Sequence, residues 1–401
     1  MIALSDEVKK QLLNDSLQRE IIISFPDDDF QDITGENIVS ESLELTQAIC
    51  DDKEFVLGGC IAGQFTIKVI NVEQELNGKR IKVIMRQSYS KGLLLPSDTL
   101  YPSSDLHCGY QTGTVEVPLF CGTINSSARQ KNRAVKEIVA YDDLYLASQK
   151  YVYNYFTNLA IYSPTAELYV IREYLCNTIL DNYDYESEFV GFNDSTKLSL
   201  SSELVKSVCK DKTTVAELLS AYCELNACFA IMNGEGKIKF IQLINPQTEI
   251  IENYSSLDFE EYTTSNINLI KFKYDKDKYF AYGHTQEKKQ SWYISDNLIT
   301  SCCTDISELV TNFNDNSGNN YIFDSLYSYC PFKADVYGRW WLECGDKVSI
   351  KTGFTDTETV DSFVFERTLK GTNGMRVSIT ANGTEYLGKD EINELHENSV
   401  G

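Results

Sequence analysis

Three histidines, His107, His284 and His396, are the chain's whole supply of imidazole. They lie far apart, so few general bases are at hand. His107 is followed directly by Cys108, with Cys121 downstream. That grouping could be imagined as a metal cluster or a Cys/His pair, but its spacing matches no ligand pattern. The 12 cysteines are scattered and never fall in the Cys-x-x-Cys spacing of zinc or redox motifs. They are expected as buried thiols. Neither a Gly-x-Ser-x-Gly elbow, nor a phosphate loop, nor a His-Glu-x-x-His pair is present, so the common hydrolase, nucleotide and metalloprotease signatures are missing. Gly58-Gly59 and Gly371 to Gly374 are expected as turns.

Two residue classes keep other chemistry in view. Acidic pairs such as Glu41 and Glu44, or Asp27 to Asp29, would serve a glycosidase only if folding set two carboxyls at a suitable separation; among 59 acidic residues such pairs arise by chance. The 25 tyrosines, 19 phenylalanines and Trp292, Trp340 and Trp341 could form a sugar-stacking face. Strand cores and subunit interfaces use the same residues more often. The expectation is a chain that is not an enzyme, with no catalytic, cofactor-binding or metal-ligating residue and no cofactor.

Composition narrows the class. A length of 401 residues predicts about two to three domains. Apolar residues at 42% suffice for buried cores, and no run approaches the roughly 18 apolar residues that cross a bilayer. A soluble protein without stable membrane association is expected. The opening Met1 to Glu7 lacks a basic flank followed by an apolar stretch, which predicts synthesis and folding in a cytoplasm. Sequons such as Asn382-Gly383-Thr384 are background there. A net charge of -23 repels phosphate backbones, so specific nucleic-acid binding is not expected. Such acidity keeps a β-rich chain soluble and would suit a channel wall past which DNA slides.

The elements follow from periodicity. Ser5, Asp6 and Glu7 ahead of Val8, Leu12 and Leu13 predict a first helix ending near Ser16. Strand patterns then dominate to about Tyr145: Glu20 to Phe25, Phe65 to Val69, a tight hairpin at Asn77-Gly78 into Ile81, Val83 and Met85, then Val115, Val117 and Leu119. Ser163-Pro164 predicts a helix start, with Leu168, Ile171, Leu175 and Ile179 on one face. Thr214 and Glu217 form a capping box for a second helix carrying Val215, Leu218, Leu219, Tyr222 and Leu225. A hairpin through Asn233 to Gly236 follows. Beyond Glu260, strands return as a hairpin turning at Asp275 to Lys278. A short helix is expected over Asp305 to Phe313, then a polar loop from Asn314 to Asn320. Last come strands at Val348 and Ile350, from Phe363 through Arg367, and from Met375 to Ile379, before a polar tail after Leu387. The predicted fold class is α+β, predominantly β: two barrel-like β domains, 1-145 and 251-401, flanking an α+β domain at 146-250.

Two C-terminal stretches carry a resemblance. Trp340-Trp341-Leu342-Glu343-Cys344-Gly345-Asp346-Lys347-Val348-Ser349-Ile350 is followed by Phe363-Val364-Phe365-Glu366-Arg367-Thr368-Leu369-Lys370-Gly371. In that order they resemble the end of phage tail hub proteins, where a Leu-Glu-x-Gly-Asp turn feeds a strand and Arg-Thr-Leu-x-Gly precedes the final hairpin. Ile38 to Leu45, the Phe65 to Val69 strand and Val139-Ala140-Tyr141-Asp142-Asp143-Leu144-Tyr145 add weaker matches, the last similar to the junction leading out of the first barrel.

What the resemblance implies is a structural tail-tip or baseplate hub of a phage or prophage. It would be a homotrimer whose paired barrels form a ring around an axial channel for DNA. Its partners would be the distal tail protein, the tail tube and the tape measure protein. Its place would be the virion tail tip, after synthesis in the bacterial host cytoplasm. Several relatives continue into a lysin, peptidase or fibre domain. This sequence stops soon after the last hairpin, at Gly401, so any wall-degrading activity is expected on another polypeptide or on a part outside this sequence. The alternative is a carbohydrate-binding adhesin or receptor-binding tail-tip protein stacking sugars on aromatics near Trp340.

Overall fold

Alternation of apolar and polar residues shapes the first third of the chain. The computed structural model describes residues 9, 13, 19–50, 55–92, 110–129, 134–180, 194–243, 248–264, 269–275, 278–283, 291–294, 296–309, 328–353, 358–372 and 376–384. Of the expected first helix it describes Lys9 and Leu13, joined by a helical Leu13 N–H to Lys9 carbonyl bond of 3.1 Å; Ser5, Val8 and Leu12 lie outside the described residues. Strands β1 (Arg19–Ser24), β2 (Glu44–Ala48), β3 (Gln64–Ile70), β4 (Arg80–Gly92), β5 (Tyr110–Arg129) and β6 (Val135–Tyr141) follow. On β3, Phe65, Ile67 and Val69 are buried while Thr66 and Lys68 are half-exposed, as a two-residue period requires.

The turn at Asn77-Gly78 exists, with Gly78 at φ +73°, but it is not a hairpin between neighbours. β3 pairs with β2 and β6, whereas β4 pairs with β1 and β5, giving the order β1-β4-β5-β6-β3-β2. The turn chemistry is local. Which strands become neighbours is decided by later segments that no local pattern encodes.

The middle of the chain is helical. It holds α1 (Leu144–Gln149), α2 (Tyr153–Tyr162), α3 (Leu168–Ile179), the short β7 (Ser199–Leu200), α4 (Ser202–Val208) and α5 (Val215–Leu225), then the hairpin β8 (Phe229–Met232) and β9 (Ile238–Ile241). Leu168, Ile171, Leu175 and Ile179 form the buried face of α3. Its start differs from expectation: Ser163 is the C-cap of α2, donating its N–H to Leu159 at 2.8 Å, and α3 begins five residues later behind Glu167. The apolar pattern of 153–162 is interrupted by tyrosines and asparagines, which hid that helix. The capping box of α5 is present, Glu217 N–H to Thr214 Oγ1 at 3.2 Å and Thr214 N–H to Glu217 Oε2 at 2.6 Å. Asn233 Oδ1 closes the hairpin turn by accepting from Glu235 and Lys237 N–H groups.

The last third adds β10 (Thr248–Ile251), β11 (Tyr254–Phe259), the antiparallel hairpin β12 (Leu269–Asp275) and β13 (Lys278–Gly283), β14 (Ser291–Ile294), α6 (Leu298–Ser301), β15 (Cys303–Asp305) and β16 (Phe332–Tyr337). Residues 307–309 are helical; the rest of the expected helix to Phe313, the Asn314 to Asn320 loop and the tail after Leu387 lie outside the described residues. The chain continues through β17 (Lys347–Lys351), β18 (Thr359–Phe363), β19 (Glu366–Lys370) and β20 (Arg376–Ala381). The segment from Phe363 through Arg367 is two strands, not one. Val364 and Phe365 exchange backbone bonds with Gly345, Asp346, Thr380 and Ile49 instead, which breaks the ladder between β18 and β19.

The two β regions are not separate sheets. β2 pairs antiparallel with β19 from Glu44 opposite Lys370 to Ala48 opposite Glu366, and the order runs on through β20, β16 and β11 as one 10-stranded sheet. The buried apolar residues form one continuous cluster spanning both β regions and the helices. The fold is α+β and predominantly β. β6 gives way to α1 near residue 145, whereas residue 250 falls inside β10. Among the described residues no helix is long and apolar enough to cross a membrane.

The cap of α5 is open to a direct measurement. Thr214→Ala removes an acceptor for a first-turn N–H and should cost about 1 kcal/mol, read as a lower urea midpoint with unchanged circular dichroism; an unshifted midpoint would deny the cap any weight.

Candidate functional site

The residues singled out for chemistry are not brought together. His107, Cys108, His284 and His396 lie outside the described residues. Cys121 is buried on β5, and burial pushes its thiol up. Glu41 sits in an exposed turn at φ +57°, Glu44 pairs with Lys370 at 3.1 Å, and Asp28 pairs with Lys79 at 2.6 Å. Among the described residues no group of three or more His, Cys, Asp or Glu side chains is placed to hold a metal. Trp340 and Trp341 are wholly buried and meet edge to face at 5.6 Å. They are core residues, so the expectation of a sugar-stacking surface near Trp340 is overturned at that pair. The side chain of Trp292 lies outside the described residues.

What the fold does bring together is polar and buried. The inward face of β2 carries Leu45 and Gln47, with buried Ile49 just past its end, and that of β19 includes Arg367 and Leu369. Gln47 and Arg367 therefore face each other inside the core, 4% and 1% exposed. The Arg367 guanidinium donates to Gln47 Oε1 through Nε at 2.8 Å and Nη2 at 2.5 Å, and to the Leu342 carbonyl through Nη1. Gln47 in turn donates Nε2 to the Met232 carbonyl on β8 at 3.0 Å. One charged group thus ties the first β region, the α+β hairpin and the last β region. No sequence motif singles out Gln47, and Arg367 stands out only as part of the Arg-Thr-Leu-x-Gly pattern, with no partner assigned. The available signal was a polar residue at an inward position of an otherwise apolar alternation.

The Leu342 to Asp346 turn completes the joint. Gly345 N–H donates to Val364 at 2.7 Å, Val364 N–H returns to Asp346 at 2.9 Å, and Glu343 N–H donates to Asp346 Oδ2 at 2.7 Å. Gly345 adopts φ +88°, and a Cβ there would stand 2.3 Å from Ile241 Cγ2 on β9, so only glycine fits. The Glu343 carboxylate meets Lys239 of β9 at 2.9 Å. Burial works against its charge, but the positive charge around it, Lys239 foremost, prevails and holds its pKa down to about 2. Asp346 is shifted the other way, burial raising it.

A second junction sits beside the first. Asp142, between β6 and α1, accepts from Gly63 N–H at 2.7 Å and Leu144 N–H at 3.1 Å. Burial pushes its pKa up to about 8 against those bonds. Asp143 holds Arg80 of β4 in a two-pronged pair at 2.9 and 2.6 Å. On the opposite face of the seam is a depression of about 450 Å³ lined by Thr46, Gln64, Thr66 and, at the two ends of the β2 and β19 ladder, Glu44 and Glu366. Four residues of strand rise set those glutamates roughly 13 Å apart along the ladder. With Glu44 held by Lys370, they do not make the closer carboxyl pair that flanks a glycosidic bond.

No protein-family model matches the chain, and no curated protein matches it. Solved structures do. A tail protein from Neisseria meningitidis MC58 superposes over 92% of this chain and 99% of its own at 10% identity and TM-score 0.50. The chain has the fold of that tail protein. The prophage MuSo2 43 kDa tail protein from Shewanella oneidensis aligns over 90% of this chain and 97% of its own, at 9% identity and TM-score 0.49. A chain of the phage P2 baseplate in its activated, calcium-bearing form aligns over 92% and 100%, at 10% identity and TM-score 0.26. Within this tail-protein fold the stretches singled out in the sequence are joints: Leu342 to Asp346, Arg367 and Asp142-Asp143 all hold elements together.

Two outcomes follow for the joint. Arg367→Met and Gln47→Leu should each cost about 3–5 kcal/mol, because each strands a buried partner. The double variant should recover part of that, with a coupling of about 1–3 kcal/mol in urea unfolding; strictly additive losses would mean the pair is not a unit. For Glu343, the folded pKa lies below the ordinary 4.5. Its contribution is therefore present above about pH 4.5 and lost as pH falls towards about 2. Glu343→Gln should flatten that acid limb of the stability profile, and an unchanged limb would assign it to other carboxylates.

Proposed function

We propose that the chain is a structural, non-catalytic component of a phage or prophage tail, a hub at the tail tip or baseplate. Three copies form a ring around an axial channel, joining the tail tube and distal tail protein to the tip and admitting the tape measure protein and then DNA. The observation that carries this reading is the shared sheet: the two β regions that the hub resemblance treats as paired barrels are bonded edge to edge at β2 and β19 and pinned by Arg367. Likeness to the Neisseria tail protein along nearly its whole length supports the tail role.

The physical requirements agree. A ring segment must resist shear between its lobes, and a buried guanidinium shared by three parts of the chain does that. A channel wall must not hold DNA, and a net charge of -23 disfavours phosphate contacts. Closure of the two β regions into barrel-like lobes is part of the same proposal. The burial of Trp340 and Trp341 removes the surface on which a carbohydrate-binding alternative relied.

Size-exclusion chromatography with light scattering and negative-stain imaging test this directly. The expected result is a threefold ring, formed in solution or on adding tail-tube ends. Single chains at every concentration that also fail to bind a tail-tube end would overturn it.

A further inference from the structure

Beside the main joint, the segment carrying Gly58, Gly59 and Cys60 is pressed onto α5. Gly58 adopts φ +83°, and a Cβ there would stand 2.6 Å from the Ser220 carbonyl and 2.8 Å from the Glu224 nitrogen. Cys60 makes a parallel bridge to Ala230, whose N–H donates to Gly59 at 3.2 Å, so its backbone is fixed. The consequence is a contact between two thiols far apart in sequence: Cys60 Sγ lies 3.6 Å from Cys223 Sγ, across a separation of 163 residues. Cys223 is fully buried on α5, while Cys60 is half-buried. Among the described cysteines only Cys60 and Cys303 are not buried, and Cys303 has the adjacent Cys302 rather than a distant partner beside it.

We propose that Cys60 and Cys223 are an oxidation-sensitive pair that a peroxide converts into a disulfide, tying the first β region to the helical unit. The Cys60 sulfur attacks one oxygen of hydrogen peroxide, the O–O bond breaks, and Cys60 becomes a sulfenic acid with release of water. The Cys223 sulfur then displaces the hydroxyl from the Cys60 sulfur, forming the S–S bond and a second water. Two thiols are oxidised, one peroxide is reduced, and the sulfurs close from contact to about 2.05 Å. Burial pushes both thiols well above their ordinary range, so little thiolate exists and the reaction is slow. A slow reaction suits a lock set after release, not a rapid sensor. The chain would fold reduced in a cytoplasm and stiffen once outside it. That consequence rests on the tail reading; the chemistry does not.

The test uses the full chain treated with hydrogen peroxide, alkylated, and mapped by mass spectrometry without reduction. A peptide linking Cys60 to Cys223, a loss of two hydrogens per chain and a urea midpoint raised by roughly 1 M, all reversed by dithiothreitol, are expected. Cys60→Ser and Cys223→Ser should each abolish the link and the shift. The wild-type map stands alone should either variant fail to fold. A link between Cys223 and Cys228, whose thiol also contacts Cys223, would overturn the proposal. So would sulfinic acid on Cys60 without a link, or a link that leaves the midpoint unmoved. The map reads linkage whatever the oligomeric state, so its failure is distinct from failure to form a ring.

Discussion

A guanidinium buried to 1% exposure is among the more expensive things a core can hold, and the architecture turns on it. Arg367 is tolerable there because Gln47 presents one oxygen to two of its nitrogens and Leu342 presents a carbonyl to a third. Those acceptors come from strands and turns hundreds of residues apart, so the cation is solvated by the fold only when every element is in place. The same bonds fix register. A one-residue slip of β2 against β19 would turn Gln47 to solvent and leave the charge without an acceptor, on top of exposing Leu45 and Ile49.

Much of the fold was legible because local rules and tertiary packing agree there. The two-residue period of Phe65, Ile67 and Val69, the capping box at Thr214 and the asparagine turn at 233 each depend on interactions within a few residues, and each stands where the pattern placed it. What failed was non-local. The Asn77-Gly78 turn is real, yet the strands on either side are parted by β5 and β6, which arrive up to 60 residues later. The break between β18 and β19 has the same origin, since Val364 and Phe365 take their bonds from the Gly345 turn, Thr380 and Ile49. Helix α2 escaped because its buried Phe156, Leu159 and Ala160 are interleaved with asparagines and tyrosines, while apolar Ile161 faces outward.

The candidate site was half legible for a different reason. The Leu342 to Asp346 and Arg367 stretches were visible as a pattern, but a pattern does not disclose that its residues touch. Burial decides what they do. The two tryptophans that could have stacked on sugar fill the core, and the described thiols with resolved shifts are raised in pKa by burial, which suits packing and slow oxidation more than nucleophilic catalysis. Gln47 was readable in principle, as a polar residue between Leu45 and Ile49 on one strand face. Its partner's identity was not, because 320 residues separate them.

Joining two β regions through one ladder has a mechanical consequence that a flexible linker would not. Rotating one β region against the other would break the five-residue pairing of β2 with β19 and strip Arg367 of its Gln47 acceptor. These losses come together, not one at a time, because the groups share partners. The two β regions of the chain are thereby held at one angle by contacts within the chain itself. For a subunit that presents two lobes to a ring, the angle between them sets how many copies close the circle, and an error in it opens the ring into a helix. Under the proposed ring, the buried joint would be where the sequence encodes closure, and contacts between copies would complete a shape set within each chain.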